Sequence, residues 1–285
     1  MYPEKVTICL SIGYFFTPAY STIACFLTGL FFMLSLQALI FDVDGTLADT
    51  ERDGHRVAFN KAFKQAGLDW DWSVDLYAEL LAVTGGKERM AYYLEKFNTT
   101  FSTDTNITSL IKDLHKSKTD FYTELLSTGA IPLRPGVRRL IEEAREQNMR
   151  IAISTTTTPE NVTALLEHAL QPGSSDWFEV IAAGDIVPAK KPAADIYLWA
   201  LDKLKLSPAE CLAFEDSENG IKSSLGADLK TIITINDYTR DHDFSGASLV
   251  LSDMGEPDKA FSCISDNDFG GDYLNLDLLT KIHAS

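Results

Sequence analysis

The stretch FDVDGTLADTE (41–51) begins at the last residue of the apolar run QALIF (37–41) and carries two carboxylates, Asp42 and Asp44, two residues apart. Alternate residues of a strand point the same way, and Gly45 tolerates turn conformations that other residues resist. The chain can therefore bend around whatever both carboxylates face. Two carboxylates this close are costly unless a cation or a shared proton relieves them. Taken alone, the pattern is also compatible with an exposed turn.

Apolar runs of strand length recur downstream: RIAIST (150–155), FEVIAA (178–183), CLAFE (211–215) and LKTIIT (229–234). Segments of helical period alternate with them: VRRLIEEAREQ (137–147), PENVTALLEHAL (159–170), ADIYLWALDKL (194–204) and SENGIKSSLGA (217–227). This alternation predicts an α/β fold, a doubly wound parallel sheet that is buried on both faces. In such a sheet, ligands bind at the carboxyl ends of the strands.

Residues 52–131 contain no strand-like run and predict an inserted α-helical cap. Two helical stripes carry this prediction: Phe59, Ala62, Phe63 and Ala66, then Ile107, Leu110, Ile111, Leu114, Phe121 and Leu125. Residues 33–51 and 132–255 would form the catalytic core. The cap is then inserted directly after the first strand of that core, where it can act as a lid. Arg134 is expected to order the return hinge rather than to contact substrate. Residues 256–285 are expected to be a polar, loosely packed tail.

The N-terminal segment has no charged residue between Val6 and Phe41, which suggests a membrane helix or a secretory segment. A span drawn from its most apolar part would absorb the predicted first strand, and neither a positive flank nor an A-x-A cleavage site is present. We therefore interpret residues 1–32 as an extension upstream of a start at Met33. A targeting or membrane role is the alternative. The expected protein is a monomer of the cytoplasm, or of the plastid stroma in a photosynthetic eukaryote.

The net charge limits the classes of partner that the protein is expected to bind. The 285 residues include 25 Lys+Arg and 41 Asp+Glu, a formal net charge of −16. This argues against a nucleic-acid partner, whose phosphates need a basic surface. An anionic substrate would also be repelled unless a few cations or a metal reverse the field locally. The four cysteines show no CxxC spacing and the histidines no HxxxH or HExxH pair, which disfavours a zinc site.

Polar residues follow the other predicted strands. RIAIST ends in Ser154-Thr155, after which Thr158 and Pro159 predict a capped helix whose N-terminus can bind an anion. CLAFE leads into Glu215-Asp216, and hard oxygen ligands beside a phosphate suggest Mg²⁺. AKKP (189–192) supplies Lys190 and Lys191, one of which can neutralise a phosphoryl oxygen.

Together and in this order, the four elements resemble the haloacid dehalogenase superfamily of aspartyl-phosphate phosphotransferases, over residues 37–255. The resemblance implies that Asp42 is the nucleophile and that Asp44 is the general acid for the leaving alcohol and then the base for water. It implies that Thr155 holds the phosphoryl group and that Lys191 supplies the cation. An acid at position 44 favours phosphoryl transfer over dehalogenation, which needs none there.

The same resemblance implies the metal site. Glu215 and Asp216 would bind Mg²⁺ together with Asp42 and the backbone carbonyl of Asp44. A carboxylate nucleophile splits hydrolysis into two steps, and Mg²⁺ with a lysine neutralises charge on the transferred group.

Further segments are similar to the CbbY group of this superfamily: TERDGHRVAFNKAF (50–63), TGGKERM (84–90), HKSKTDFY (115–122), ISTTTTPENV (153–162) and AAGDIVPAKKPAADIY (182–197). The resemblance implies a phosphatase for xylulose 1,5-bisphosphate, an inhibitory by-product of Rubisco chemistry. The implied substrate-binding residues are Glu51, Gly85, Gly86, Lys87, Arg89, His115, Lys118, Thr155, Thr156 and Asn161. The N-terminal extension, the polar stretch NTTFSTDTN (98–106) and the last thirty residues depart from the group's pattern.

Other functions stay open at this point. A mutase similar to β-phosphoglucomutase would use the same nucleophile, and a phosphatase for phosphoglycolate or another sugar phosphate would share all four motifs. Thr46 and the TGGKERM turn favour the phosphatase over the mutase. The non-enzymatic alternative is an idle regulator or a membrane-tethered binding protein of the same fold. The intact motifs argue against it, because a binding module needs no acid at position 44.

Overall fold

Six parallel strands form the sheet that positions the site. In this computed structural model, which describes residues 35–267 and 269–285, they lie in the order β3-β2-β1-β4-β5-β6. The strands are β1 (Ala38–Phe41), β2 (Arg150–Thr155), β3 (Val180–Ala183), β4 (Cys211–Glu215), β5 (Lys230–Thr234) and β6 (Leu249–Leu251). The predicted α/β fold is confirmed, and five strands fall within two residues of the predicted runs. The three-residue β6 was not predicted.

The register of the central strands aligns their polar ends. Phe41 of β1 lies beside Ile153 of β2 and Phe214 of β4. The next residue in each strand, Asp42, Ser154 and Glu215, therefore reaches the same edge of the sheet. The backbone N–H of Asp42 donates to the carbonyl of Phe214 over 2.9 Å, which continues the ladder one residue past β1. A one-residue slip would turn these side chains to the other face.

Nine α-helices accompany the sheet in the described chain. They are α1 (Arg56–Gln65), α2 (Val74–Leu80), α3 (Gly86–Lys96), α4 (Ile107–Ser127), α5 (Val137–Glu146), α6 (Pro159–Leu165), α7 (Asp195–Leu204), α8 (Glu218–Gly226) and α9 (Leu276–Ala284). The predicted N-cap of α6 is present, since Thr158 accepts from the N–H of Asn161, and Ser217 caps α8 by accepting from the N–H of Gly220. Such side chains satisfy N–H groups that have no partner within the helix.

Both faces of the sheet are buried, as its sequence predicts. Leu39 and Phe41 of β1 belong to the cluster that includes α5, α6 and α9, whereas Ala38 and Ile40 pack with α7 on the other face. All four β1 side chains are inaccessible to solvent. This central, rigid strand is the support from which Asp42 and Asp44 extend.

A helical insertion lies between β1 and β2. A π-helical turn, Glu51–His55, precedes helices α1 to α4, which have their own aromatic core. In that core Phe59 and Phe63 of α1 pack on Trp72 at ring-centroid distances of 4.7 and 4.9 Å. The predicted stripes are buried in their middle, while Ala66 and Ile107 at their ends are exposed. The boundaries predicted between cap and core remain predictions.

The expectation of a loosely packed tail at residues 256–285 is wrong. Its last part is α9, where Leu279 and Ile282 are fully buried in the same cluster as β1. Asn275 caps the helix by accepting from the N–H of Leu278 over 2.8 Å. The sequence LDLLTKIHA carries an apolar face of helical period, which the polar residues before it obscured.

Arg134 joins the segments that surround the first strand end. Its guanidinium donates to the backbone carbonyls of Gly45 and Ile235, and to those of Thr234 and Ser252 at 3.0 and 2.8 Å. The side chain is almost wholly buried, and its contacts agree with the expected role of ordering the hinge.

Residues 1–32 fall outside the described residues, so the prediction for this extension stays a prediction. Across the residues that are described, no helix has both the length and the apolar character that a membrane span requires.

The packing of α9 predicts that Leu279→Ala lowers the free energy of unfolding by about 2–5 kcal/mol, because it leaves a cavity in the main core. Thr280→Ala, on the exposed side of the same helix, should change it by less than about 0.5 kcal/mol. Urea unfolding followed by circular dichroism measures both. Equal, small effects would contradict the packing described for α9.

Arg134→Lys should lower the free energy of unfolding by about 2–4 kcal/mol, because an ammonium group cannot reach four carbonyls that a planar guanidinium spans. Arg138→Lys is the matched control, since that half-exposed arginine also donates to two backbone carbonyls. Its effect should stay below about 1 kcal/mol. If both substitutions cost the same in urea unfolding, Arg134 does not hold the hinge as described.

Candidate active site

Lys191 stands at the centre of the site and bridges two strand ends. Its ammonium group donates to Asp42 Oδ1 over 2.6 Å and to Glu215 Oε1 over 2.5 Å. A third bond, of 2.9 Å, goes to the carbonyl of Ser154 at the end of β2. The hydroxyl of Tyr197 in α7 donates to Glu215 Oε1 over 2.6 Å. Two carboxylates and one backbone carbonyl at the ends of three neighbouring strands thus surround one cation, and a tyrosine of α7 holds one of the carboxylates.

Asp216 adds a third carboxylate to this group. One oxygen from each of Asp42, Glu215 and Asp216 lies within 4.8 Å of the others, and all three side chains are buried. The amide of Asn236, after β5, donates to Asp216 Oδ2 over 2.7 Å and orients it. Three carboxylates around a single ammonium group leave an excess of buried negative charge.

The electrostatics of the cluster reflect this excess. Burial raises the pKa of the Asp42 carboxyl to about 8, against the opposing charge of Lys191. Burial, and next the Asp42 and Glu215 carboxylates, raise the pKa of Asp216 well above its ordinary value. Desolvation and like charges both disfavour ionised carboxylates. A divalent cation at this position would remove the penalty, and hard oxygen donors are the ligands that Mg²⁺ prefers.

Asp44 faces away from this cluster. Its Oδ1 accepts from the hydroxyl of Thr50 over 2.6 Å and lies 2.8 Å from Nε2 of His55. The other ring nitrogen of His55 lies 2.7 Å from the ammonium nitrogen of Lys118 on α4. Burial raises the pKa of Asp44, but His55, Thr50 and Lys118 outweigh it, and the pKa lies below its ordinary value. The side chain of Asp44 is therefore outside the carboxylate cluster, and its predicted contact with metal, through the backbone carbonyl, stays a prediction.

The basic cavity, of about 470 Å³, opens on one side of Asp44. Four cationic side chains line it: Lys87, Arg89, Lys118 and Lys190. The other predicted substrate residues along it are Glu51, Gly85, Gly86, His115, Thr156 and Asn161. Burial and the nearby Lys118, Lys87 and Lys190 lower the pKa of His115 to about 3, so its ring is neutral at pH 7.

The carboxylate cavity, of about 370 Å³, opens on the other side of the two aspartates. It is lined by the remaining predicted residues, Asp42, Thr155, Lys191, Glu215 and Asp216, and shares Asp44, Glu51, Arg89 and Thr156 with the basic cavity. The hydroxyl oxygen of Thr155 accepts from the N–H of Thr157 over 3.3 Å. The structure therefore brings every predicted site residue to one of two adjoining cavities.

The predicted cations all have protein partners. Arg89 donates to the hydroxyl of Tyr77 over 2.8 Å and lies 3.6 Å from Glu51 Oε2, while Lys87 pairs with Asp185. Tyr77 in turn donates to Glu51 over 2.5 Å. Burial lowers the pKa of Lys118 to about 8, against the charges of Asp44 and Glu51.

Sequence reasoning missed several residues of the site. His55 lies four residues after Glu51 in one helical turn, a spacing that could have placed both on the same face. Asn236 follows the end of β5, so the argument applied to the other strand ends could have found it. Lys190 was left undecided beside Lys191, and nothing local in the sequence marks Tyr197.

Comparison with known proteins agrees with this geometry. A family model described as haloacid dehalogenase-like hydrolase matches residues 36–228. Protein CbbY of Rhodobacter capsulatus is 50% identical over 221 residues, which cover 78% of this chain and 95% of that protein. A CBBY-like protein of Arabidopsis thaliana is 39% identical over 224 residues, covering 78% of this chain and 70% of that protein.

Solved structures give the same result. CbbY from Rhodobacter sphaeroides in complex with phosphate has a TM-score of 0.71 and 43% identity, covering 76% of this chain and 94% of that one. An Asp-to-Asn variant of the same protein, in complex with xylulose 1,5-bisphosphate, has a TM-score of 0.71, 42% identity and the same coverage. The resemblance found in the sequence is thereby confirmed. With a family model matching more than half of its residues, the chain belongs to the haloacid dehalogenase-like hydrolases.

Proposed function

We propose that the protein is a Mg²⁺-dependent phosphatase that acts on a small sugar bisphosphate through a phosphorylated Asp42. The observation that carries this proposal is the pairing of Asp42 with Lys191 at the end of β1, beside two further buried carboxylates. A nucleophile, a cation for the transferred group and oxygen ligands for a metal thus converge at one point. Asp44, the proposed acid and base, projects from the same loop.

The chemistry takes two displacements at phosphorus. In the first, a carboxylate oxygen of Asp42 attacks phosphorus, the bond from phosphorus to the sugar oxygen breaks, and Asp44 gives that oxygen a proton. In the second, water attacks the same phosphorus, Asp44 takes up a proton from the water, and the bond to Asp42 breaks to release inorganic phosphate. A carboxylate assists each step, Asp42 as the nucleophile in the first and Asp44 as the general base for water in the second.

The environment of Asp44 suits the second step. Its pKa lies below the ordinary value because His55, Thr50 and Lys118 stabilise the carboxylate, which is the form that accepts a proton. To act as the acid in the first step, Asp44 must leave these partners and approach the leaving oxygen. Thr50 precedes the helical insertion and His55 lies at its start, so a displacement of the insertion would move His55 away from Asp44.

Asp42, Glu215 and Asp216 would hold Mg²⁺. They fit the ion because three buried carboxylate oxygens lie close together, and Lys191 alone does not balance their negative charge. When bound, the ion neutralises charge on the transferred phosphoryl group. Lys191 keeps the nucleophile and Glu215 in register for that contact. Thr155 and the N–H groups before α6 would bind phosphoryl oxygens.

For the substrate we propose xylulose 1,5-bisphosphate, converted to xylulose 5-phosphate. The complex of the CbbY variant supports this choice, as does the basic cavity, which offers cationic side chains beyond those needed for one phosphate. A monophosphate held at Asp42 would leave Lys87 and Lys190 paired with protein carboxylates rather than with substrate.

The proposal is tested by incubating the purified protein and Mg²⁺ with each of three substrates and measuring the free phosphate released. The substrates are xylulose 1,5-bisphosphate, β-glucose 1-phosphate and phosphoglycolate. We expect kcat/KM for the bisphosphate to exceed the other two by at least about tenfold, since only it can use both ends of the basic cavity. Asp42→Asn should abolish turnover of every substrate. Appearance of glucose 6-phosphate as the sole product of the second substrate would mean a mutase, and turnover by Asp42→Asn would rule out the mechanism.

Metal binding is tested without turnover. Mg²⁺ at 100 times its dissociation constant should raise the free energy of unfolding by about 2.7 kcal/mol, which a thermal melt detects. Asp216→Asn should remove this stabilisation without destabilising the metal-free protein, because it relieves repulsion among three buried carboxylates. Asp243→Asn, which changes an exposed acid whose carboxylate accepts from the N–H and hydroxyl of Ser245, should keep the full shift. NaCl of equal ionic strength is the salt control, and a shift retained by Asp216→Asn would contradict the site.

A further inference from the structure

At the outer end of the basic cavity, four charged side chains pair across the gap between the helical insertion and the sheet. Lys87 and Glu88 lie in the first turn of α3, while Asp185 and Lys190 lie on the segment after β3. Lys87 donates to Asp185 Oδ2. The ammonium nitrogen of Lys190 lies 3.0 Å from Asp185 Oδ1 and 3.1 Å from Glu88 Oε2. Each oxygen of Asp185 is therefore paired with its own lysine.

This pairing leaves the outer end neutral, although it contains two lysines. Asp185, Lys87 and Lys190 line the cavity, whereas Glu88 is not among the residues that do. The side chain of Asp185 is 59% exposed and that of Lys190 only 15%. The side chain of Asp185 can therefore rotate into solvent at little cost, while Lys190 stays in the wall of the cavity.

We propose that Asp185 excludes free anions from this end of the cavity: its carboxylate occupies Lys87 and Lys190 as a built-in competing anion. A ligand displaces it only when that ligand carries its own anionic group at the end remote from Asp42. The proposal rests on the proposed function in one respect, since it takes the substrate to be held at Asp42 by one phosphate.

The physical reason is effective concentration. A carboxylate fixed beside two lysines competes at the millimolar or higher concentration typical of a tethered group, so free inorganic phosphate gains little by replacing it. A bisphosphate anchored at Asp42 presents its second phosphate at a comparable effective concentration and with more charge. The exchange then favours the substrate. Asp185 thus keeps stray anions off the lysines without closing the cavity to a doubly phosphorylated sugar.

The first test counts bound phosphate by isothermal titration calorimetry of the full chain with Mg²⁺ at low ionic strength. We expect one inorganic phosphate per chain for the unmodified protein and two for Asp185→Asn, in which Lys87 and Lys190 no longer share the carboxylate of Asp185. Glu88→Gln is the matched control, because it removes a neighbouring ion pair of Lys190 from outside the cavity. It should bind one phosphate, as the unmodified protein does.

The second test compares substrates. Asp185→Asn should lower KM for xylulose 1,5-bisphosphate about 2- to 5-fold, the range expected for a partly exposed ion pair. It should leave KM for β-glucose 1-phosphate within about 2-fold, and Glu88→Gln should change neither.

Three outcomes would overturn the proposal. The first is two phosphates bound by the unmodified protein, and the second is one phosphate bound by Asp185→Asn. The third is an equal rise of KM for both substrates in both variants, which would mean that the ion pairs merely latch the insertion to the sheet. If the unmodified protein does not hydrolyse the bisphosphate, the proposed function fails, but the phosphate count still decides the role of Asp185.

Discussion

The ion pairs that Lys191 makes with Asp42 and Glu215 are the interaction on which the site depends. A buried ammonium group flanked by two carboxylates is tolerated only with good geometry and further hydrogen bonds. Here the register of β1, β2 and β4 supplies that geometry, and Ser154 and Tyr197 supply bonds at either side. The apolar strands therefore do more than fill the core. They bring charged residues that are far apart in the sequence to hydrogen-bonding distance at one edge of the sheet.

A second consequence concerns charge. A protein with a net charge of −16 is expected to repel a doubly phosphorylated sugar. The structure gathers cations close to the aspartates: Lys191 lies among the buried carboxylates of one cavity, and three further lysines and Arg89 line the other together with acidic side chains. At short range in a partly desolvated cavity, these local charges outweigh the distant surface charge, which solvent and salt screen. The overall sign therefore bears on nucleic acid as a partner and has little bearing on a small substrate.

The sequence predicted the strands and the polar residues at their ends well, because buried parallel strands are apolar runs and their ends face one edge. It predicted less where partners come from different segments. His55 and Asn236 gain their importance only when folding places them beside Asp44 and Asp216. Helix α9 was missed since a short apolar face after a polar stretch resembles a loose tail. The pairing of Lys87 with Asp185 links residues 98 positions apart, for which no local pattern exists.

The central claim is that Asp42 itself carries the phosphoryl group during turnover. Rapid quenching of the protein during turnover of xylulose 1,5-bisphosphate, followed by borohydride reduction and peptide mass spectrometry, tests it most directly. Reduction of an aspartyl phosphate gives homoserine, and the account predicts homoserine at position 42 only when substrate and Mg²⁺ are both present. Homoserine at position 44 instead, or none at either position while phosphate is being released, would contradict the account.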